Sequence, residues 1–232
     1  MQIQVTMTSR NYLSISHLSA ASLFAKRSTE LEPTLTLGES ESTNGLREHN
    51  ACIVSTIMLS VAFLEATINE FFSDCAEEPY AKVATLPTCK LMAKLWTRGI
   101  PRTASYSILE KYEIALDLNE SQPFDKSSYP YQDVKLLIEL RNALIHYEPE
   151  TTQHPTGISE EQRDLHKFEK KLRGKFELNS LTGAGNTFYP DKVLGSGCAR
   201  WAVKSAVSLA DTFYSRLSIK PMYDPVRAQY SV

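Results

Sequence analysis

Charge of one sign is what this sequence most plainly lacks. Its 25 Lys and Arg stand against 27 Asp and Glu, a formal net charge of −2. Such a chain raises no global field to gather nucleic acid, so any contact with RNA or DNA has to be local. Cysteine is scarce too. Cys52, Cys75, Cys89 and Cys198 are scattered without a CxxC spacing, which excludes a thiolate zinc site and reads as reduced, mostly buried thiols in a cytoplasmic protein. His17, His49, His146, His154 and His166 form no ligand pattern and no HExxH occurs, so no metal is expected. Gly183-Ala184-Gly185 lacks the third glycine and the strand–helix frame of a phosphate-binding loop, and no GxSxG appears, so no cofactor is expected either. The start, MQIQVTMTSRNYLS, does not have the basic-then-apolar design of a signal peptide. The longest apolar run, within 51–72, is broken by Ser55, Thr56, Ser60, Glu65, Thr67 and Asn69, which argues against a membrane span.

What is present is helix. At 232 residues with 42% hydrophobic and 22% charged content, the chain suits one globular domain. Its strongest periodicity is Ile53, Ile57, Val61, Leu64, Ile68 and Phe72, which predicts a long helix over about 47–75. Helices are also predicted over 11–26, 88–97, 104–118 and 198–217. Ser159 and Gln162 form a capping box for another, reaching Arg173. Residues 29–45 read as a surface connection and 77–80 as a turn, with a short hairpin within 176–190. The fold class is therefore all-α, a bundle of long antiparallel helices. Residues 1–45 form an N-terminal extension with one helix, 46–219 the helical domain, and 220–232 an extended tail.

The most helix-committed stretch is 131–150, YQDVKLLIELRNALIHYEPE. Lys135, Glu139, Asn142 and His146 line one polar stripe, and leucines and isoleucines cover most of the remaining surface. Asp133 suits the dipole at the start, and Pro149 fixes the end. Arg141 interrupts the apolar face. A guanidinium there needs a carboxylate, a phosphate or a wet crevice, because an unpaired buried charge costs several kcal/mol, roughly. Glu65, on the edge of the long stripe, and Asn69 one turn on are the polar partners expected for it; Glu65 also reads as a half-solvated boundary residue.

The segment Arg141-Asn142-Ala143-Leu144-Ile145-His146 resembles the signature of the HEPN superfamily (higher eukaryotes and prokaryotes nucleotide-binding domain), an Arg, often a polar residue, then a His. Arg10 and His17 have a similar spacing. The second pair is preferred because it ends a buried helix stopped by proline. The helix VAFLEATINEFF also looks like the first long helix of that family, and the resemblance covers roughly 47–217 in helical order. It implies an all-α HEPN-like domain that forms a homodimer with two motifs facing each other. Many members are ribonucleases of toxin–antitoxin, defence or RNA-processing systems, and others have lost catalysis.

The chemistry stands without the name. RNA carries its own nucleophile, the ribose 2′-hydroxyl, so catalysis needs a base or acid working near neutral pH, a role open to His146. It also needs a cation and donors for charge building on the phosphate, roles open to Arg141 and Asn142. At ~100° per residue, Arg141 and His146 point ~140° apart on one helix, so two chains are better placed to complete a site than one. Each residue has a plainer reading. His146 caps a helix C-terminus, Arg141 is a structural partner of Glu65, Asn142 is a surface polar group, and Tyr147 is a core or interface aromatic. Lys167, Lys170, Lys171 and Arg173 are a solvated face or a local RNA-facing patch. Two functions follow: an endoribonuclease with RNA as substrate and an antitoxin protein as a partner, or a non-catalytic dimerisation module that binds a protein or nucleotide.

Overall fold

A computed structural model describes residues 9–36, 43–77, 82–102, 105–149, 167–183 and 185–230. Within them every regular element is helical: α1 (Leu13–Thr36), α2 (Thr43–Glu77), α3 (Cys89–Thr97), α4 (Ile108–Leu118), α5 (Tyr131–Ile145), α6 (Lys167–Leu172) and α7 (Ser196–Arg216), with 3-10 turns at Lys82–Thr85 and Asp224–Tyr230. The expected all-α bundle is the observed architecture.

α2 is its axis. Ile53, Ile57, Val61, Leu64, Ile68 and Phe72 are all at most 1% exposed, and burying each such side chain is worth about 2 kcal/mol. This helix is long and apolar enough to cross a bilayer, but its apolar stripe faces α1, α3, α4, α5 and α7. Around its second half an aromatic cluster joins three helices, with Phe213 against both Phe71 (5.1 Å) and Tyr112 (4.8 Å). The Tyr112 hydroxyl donates to the Leu64 carbonyl at 2.9 Å.

α1 runs antiparallel to α2. Glu32 meets His49 near one end of the pair, while Ser14 meets Glu70 and Arg10 meets Asp74 near the other. This helix continues to Thr36, so residues 29–36, expected as connection, are helical. Ser28 and Thr29 hydroxyls donate back to the Ala25 carbonyl, and Glu32 is fixed by bonds to Ser180 and Ser196, much later in the chain. Those tertiary contacts override the weak local propensity and the interior Pro33.

Two further expectations are corrected. The hairpin expected within 176–190 is absent among the described residues, where no strand occurs. Asn179 instead donates to the Asp191 and Leu194 carbonyls, and the Asp191 carboxylate binds Asn186 and Thr187, so side chains take the backbone partners a ladder would use. The tail expected as extended from Lys220 turns into the Asp224–Tyr230 helix. It is held by buried Tyr223, whose hydroxyl donates to Asp211, and by Arg227 on the same carboxylate. The predicted turn at 77–80, beyond the α2 end at Glu77, and the capping box at Ser159 and Gln162 lie outside the described residues.

Candidate functional site at the C-terminal end of α5

α5 follows Pro130 at its N-cap and buries Tyr131, Val134, Leu137 and Leu140. Its second half is less covered: Ala143 and Leu144 are half-buried, and Ile145 is 52% exposed. His146 leaves the helix with φ −104° and ψ 43°, its amide donating to the Asn142 carbonyl at 2.9 Å.

Asn142 and His146 are both exposed on the polar stripe, together with Lys135 and the half-buried Glu139. Arg141 is half-buried off that stripe. Its Nε is enclosed and has no hydrogen-bond partner, and no ion pair to its guanidinium occurs among the described residues. Tyr147 does not enter the core: it is 47% exposed, with its ring 6.3 Å from that of Tyr189. Ile145, His146 and Tyr147 thus form an open polar-and-apolar tip.

The partners expected for Arg141 belong to another residue. Lys111 of α4, only 2% exposed, lies 3.5 Å from the Glu65 carboxylate and donates to Asn69 Oδ1 at 3.1 Å. Glu65 therefore balances the charge of Lys111, and Asn69 accepts one of its hydrogen bonds. A signal for this existed in the sequence: Lys111 falls on the apolar face of α4 with Ile108, Tyr112 and Ala115, where its ammonium must find a carboxylate. The Arg10–His17 pair is likewise structural at its arginine, whose Nε lies 2.8 Å from Asp74.

The basic cluster is partly neutralised within the chain. Lys171 pairs with Glu139 at 2.7 Å, Arg173 with Glu169 one turn away, and Lys175 with Asp133 at 2.7 Å. Lys167 reaches over its neighbour Phe168, and Lys170 is exposed without a partner among the described residues. The first of these pairs links a side chain of α6 to the α5 stripe. Lys126, Lys135, Lys171 and Lys175 then line a groove of about 300 Å³ around Glu139, along the same stripe that carries Asn142 and His146.

Sequence reasoning missed one buried polar centre. Glu32 accepts from His49 Nε2 (3.1 Å), from the Ser196 amide (2.7 Å) and from the Ser180 amide and hydroxyl. His49 sits four residues before Ile53, in line with the α2 stripe, and is 0% exposed, so its place in that stripe was the available signal. Burial alone would raise the Glu32 carboxyl, but the bonds from His49, Ser196 and Ser180 outweigh it and hold the group well below its ordinary range.

No group of three or more His, Cys, Asp or Glu side chains able to hold a metal occurs among the described residues. Burial pushes the Cys52, Cys75 and Cys198 thiols up, away from the thiolate a nucleophile needs. The chain matches no known protein family, no curated protein and no solved structure.

Proposed function

We propose that the protein is a HEPN-type endoribonuclease with a composite site across a homodimer, built from Arg141, Asn142 and His146 of both copies. The observation that carries this reading is Arg141. A guanidinium with an enclosed, unpartnered Nε on a half-covered helix end fits a phosphate or a second chain better than a finished intrachain pair. Exposed Ile145 and Tyr147 supply apolar surface for the second copy on either side of His146.

In this reading one His146 takes the proton from the ribose 2′-hydroxyl. The oxygen attacks the adjacent phosphorus, the bond to the 5′-oxygen breaks, and the second copy's His146 returns a proton to that leaving oxygen. The products are a 2′,3′-cyclic phosphate and a 5′-hydroxyl. Arg141 and Asn142 stabilise charge gathering on the phosphate. The lysine-lined groove beside Glu139 guides the backbone toward the α5 tip, and a toxin–antitoxin or defence setting fits such an activity.

The pairing of Lys171, Arg173 and Lys175 with carboxylates favours a second reading, a non-catalytic dimerisation module. Incubating labelled RNAs with wild type, His146→Ala and Arg141→Met in EDTA separates the two, with oligomeric state measured on each. Cyclic-phosphate ends from wild type alone support the enzyme. A folded, dimeric wild type that cleaves nothing leaves the module.

A further inference from the structure

A second pocket, of about 500 Å³, opens at the other end of α5, between its first turn, the 175–177 segment and one face of α7. Asp133 lines it and His146 lies thirteen residues away along the same helix, ~20 Å at 1.5 Å per residue. The pocket is therefore distant from the α5 tip, and shares only Lys175 with the groove beside Glu139.

Three cations line this pocket: Lys175, Arg200 and Lys204. Two carboxylates answer them. Asp133 accepts from Lys175 and from the Trp201 indole, and Glu177 accepts from Arg200 at 2.7 Å. Lys204 is exposed and has no partner among the described residues, so one positive charge is left over. Glu177 is 85% exposed at its side chain, so an anion can replace it at Arg200 Nη2, while Nη1 stays oriented by its bonds to the Thr29 and Ser196 hydroxyls.

The wall supplies a further observation. Ser205 is 0% exposed, lines the pocket, and its Oγ has no hydrogen-bond partner. A hydroxyl enclosed in that way costs free energy unless something accepts from it or donates to it. The 175–177 segment packs closely on α7: a Cβ on Gly197 would lie 2.2 Å from the Glu177 carbonyl oxygen, so glycine is what lets the two approach. At the mouth stands the Tyr129 ring, half exposed, its hydroxyl donating to Ser208.

We propose that this pocket binds the phosphate group of a small phosphorylated molecule. Lys204 and Arg200 meet the anionic oxygens, Ser205 donates to one of them, and the Tyr129 face is available to a ring carried on the phosphate. The inference does not depend on ribonuclease activity.

The test is calorimetric titration of the full-length chain at low ionic strength with inorganic phosphate, ribose 5-phosphate, AMP and adenosine. One site for a phosphorylated probe, with adenosine silent, is the expected result. Phosphate binding as well as AMP identifies the anion alone as the ligand determinant; AMP binding more tightly adds the ring. Lys204→Gln weakens binding about tenfold and Ser205→Ala about fivefold, the loss of one charged contact and one hydrogen bond. Ser205→Ala leaves the unliganded melting temperature unchanged or higher, which a merely structural serine would not do. His146→Ala binds as wild type. The proposal is overturned if no phosphorylated probe binds, if adenosine binds as well as AMP, if both pocket variants bind as tightly as wild type, or if His146→Ala abolishes binding.

Discussion

The Lys111 ammonium lies 3.5 Å from the Glu65 carboxylate, between α4 and α2. Lys111 is 2% exposed, whereas the Glu65 side chain is 47% exposed. Water therefore shares in solvating the carboxylate, and the buried end of the pair bears most of the desolvation cost. Lys111→Ala removes the charge and leaves a cavity, and is expected to cost about 2–4 kcal/mol in denaturant unfolding. Lys111→Met fills the same space without a charge and is expected to stay within about 1 kcal/mol of wild type. Equal losses for both variants would show that the ion pair itself, and not packing, holds α4 in place.

Arg141 poses the opposite case. An enclosed donor without a partner costs about 1–3 kcal/mol, so Arg141→Met is expected to raise the unfolding free energy of the chain by about 1 kcal/mol. The same change removes the cation assigned to the transition state and is expected to lower RNA cleavage at least about a hundredfold. A residue kept at a cost in stability and needed for activity is the signature of a site. A destabilised Arg141→Met would reveal an intrachain partner and sink the assignment.

The two arginine and lysine cases also show what the sequence could and could not disclose. The α2 stripe and the start of α5 were legible because burial imposes a helical period that needs no partner to be seen; the end of α5 was not, since the helix stops at Ile145, four residues short of Pro149. Which carboxylate meets which cation was not, because Lys111 and Arg141 both present a charge on an apolar face, and only the packing of α4 on α2 decides between them. α1 extended past its predicted end for a related reason. Glu32 is held by Ser180 and Ser196, 148 and 164 residues away along the chain, and no local window contains them.

Glu32 gives the pH dependence. Its folded carboxyl is held below the unfolded value of about 4.3, so its contribution to stability is fully present above that pH and is lost as pH falls below about 4. Glu32→Gln is expected to melt lower than wild type at pH 7, and the gap is expected to narrow steadily below about pH 4. Melting curves from pH 7 to 3 measure it. A gap that stays constant across that range would mean the charge on Glu32 contributes nothing.

Asp133 separates a buried contact from an exposed one on the same carboxylate. Oδ2 accepts from the Trp201 indole at 2.8 Å, with Trp201 7% exposed, while Oδ1 accepts from Lys175, whose side chain is 34% exposed. Water replaces the lysine contact readily, whereas an indole N–H left without an acceptor in the interior costs about 1–3 kcal/mol. A double-mutant cycle between Asp133→Ala and Trp201→Phe is therefore expected to give a coupling of about 1–2 kcal/mol, and one between Asp133→Ala and Lys175→Met less than about 0.5 kcal/mol. If the lysine cycle gave the larger coupling, α5 would be tied to the 175–177 segment by charge. With the indole cycle larger, Asp133 acts chiefly as the anchor that fixes α7 against the first turn of α5, and it is this anchoring that holds the wall of the phosphate pocket in place.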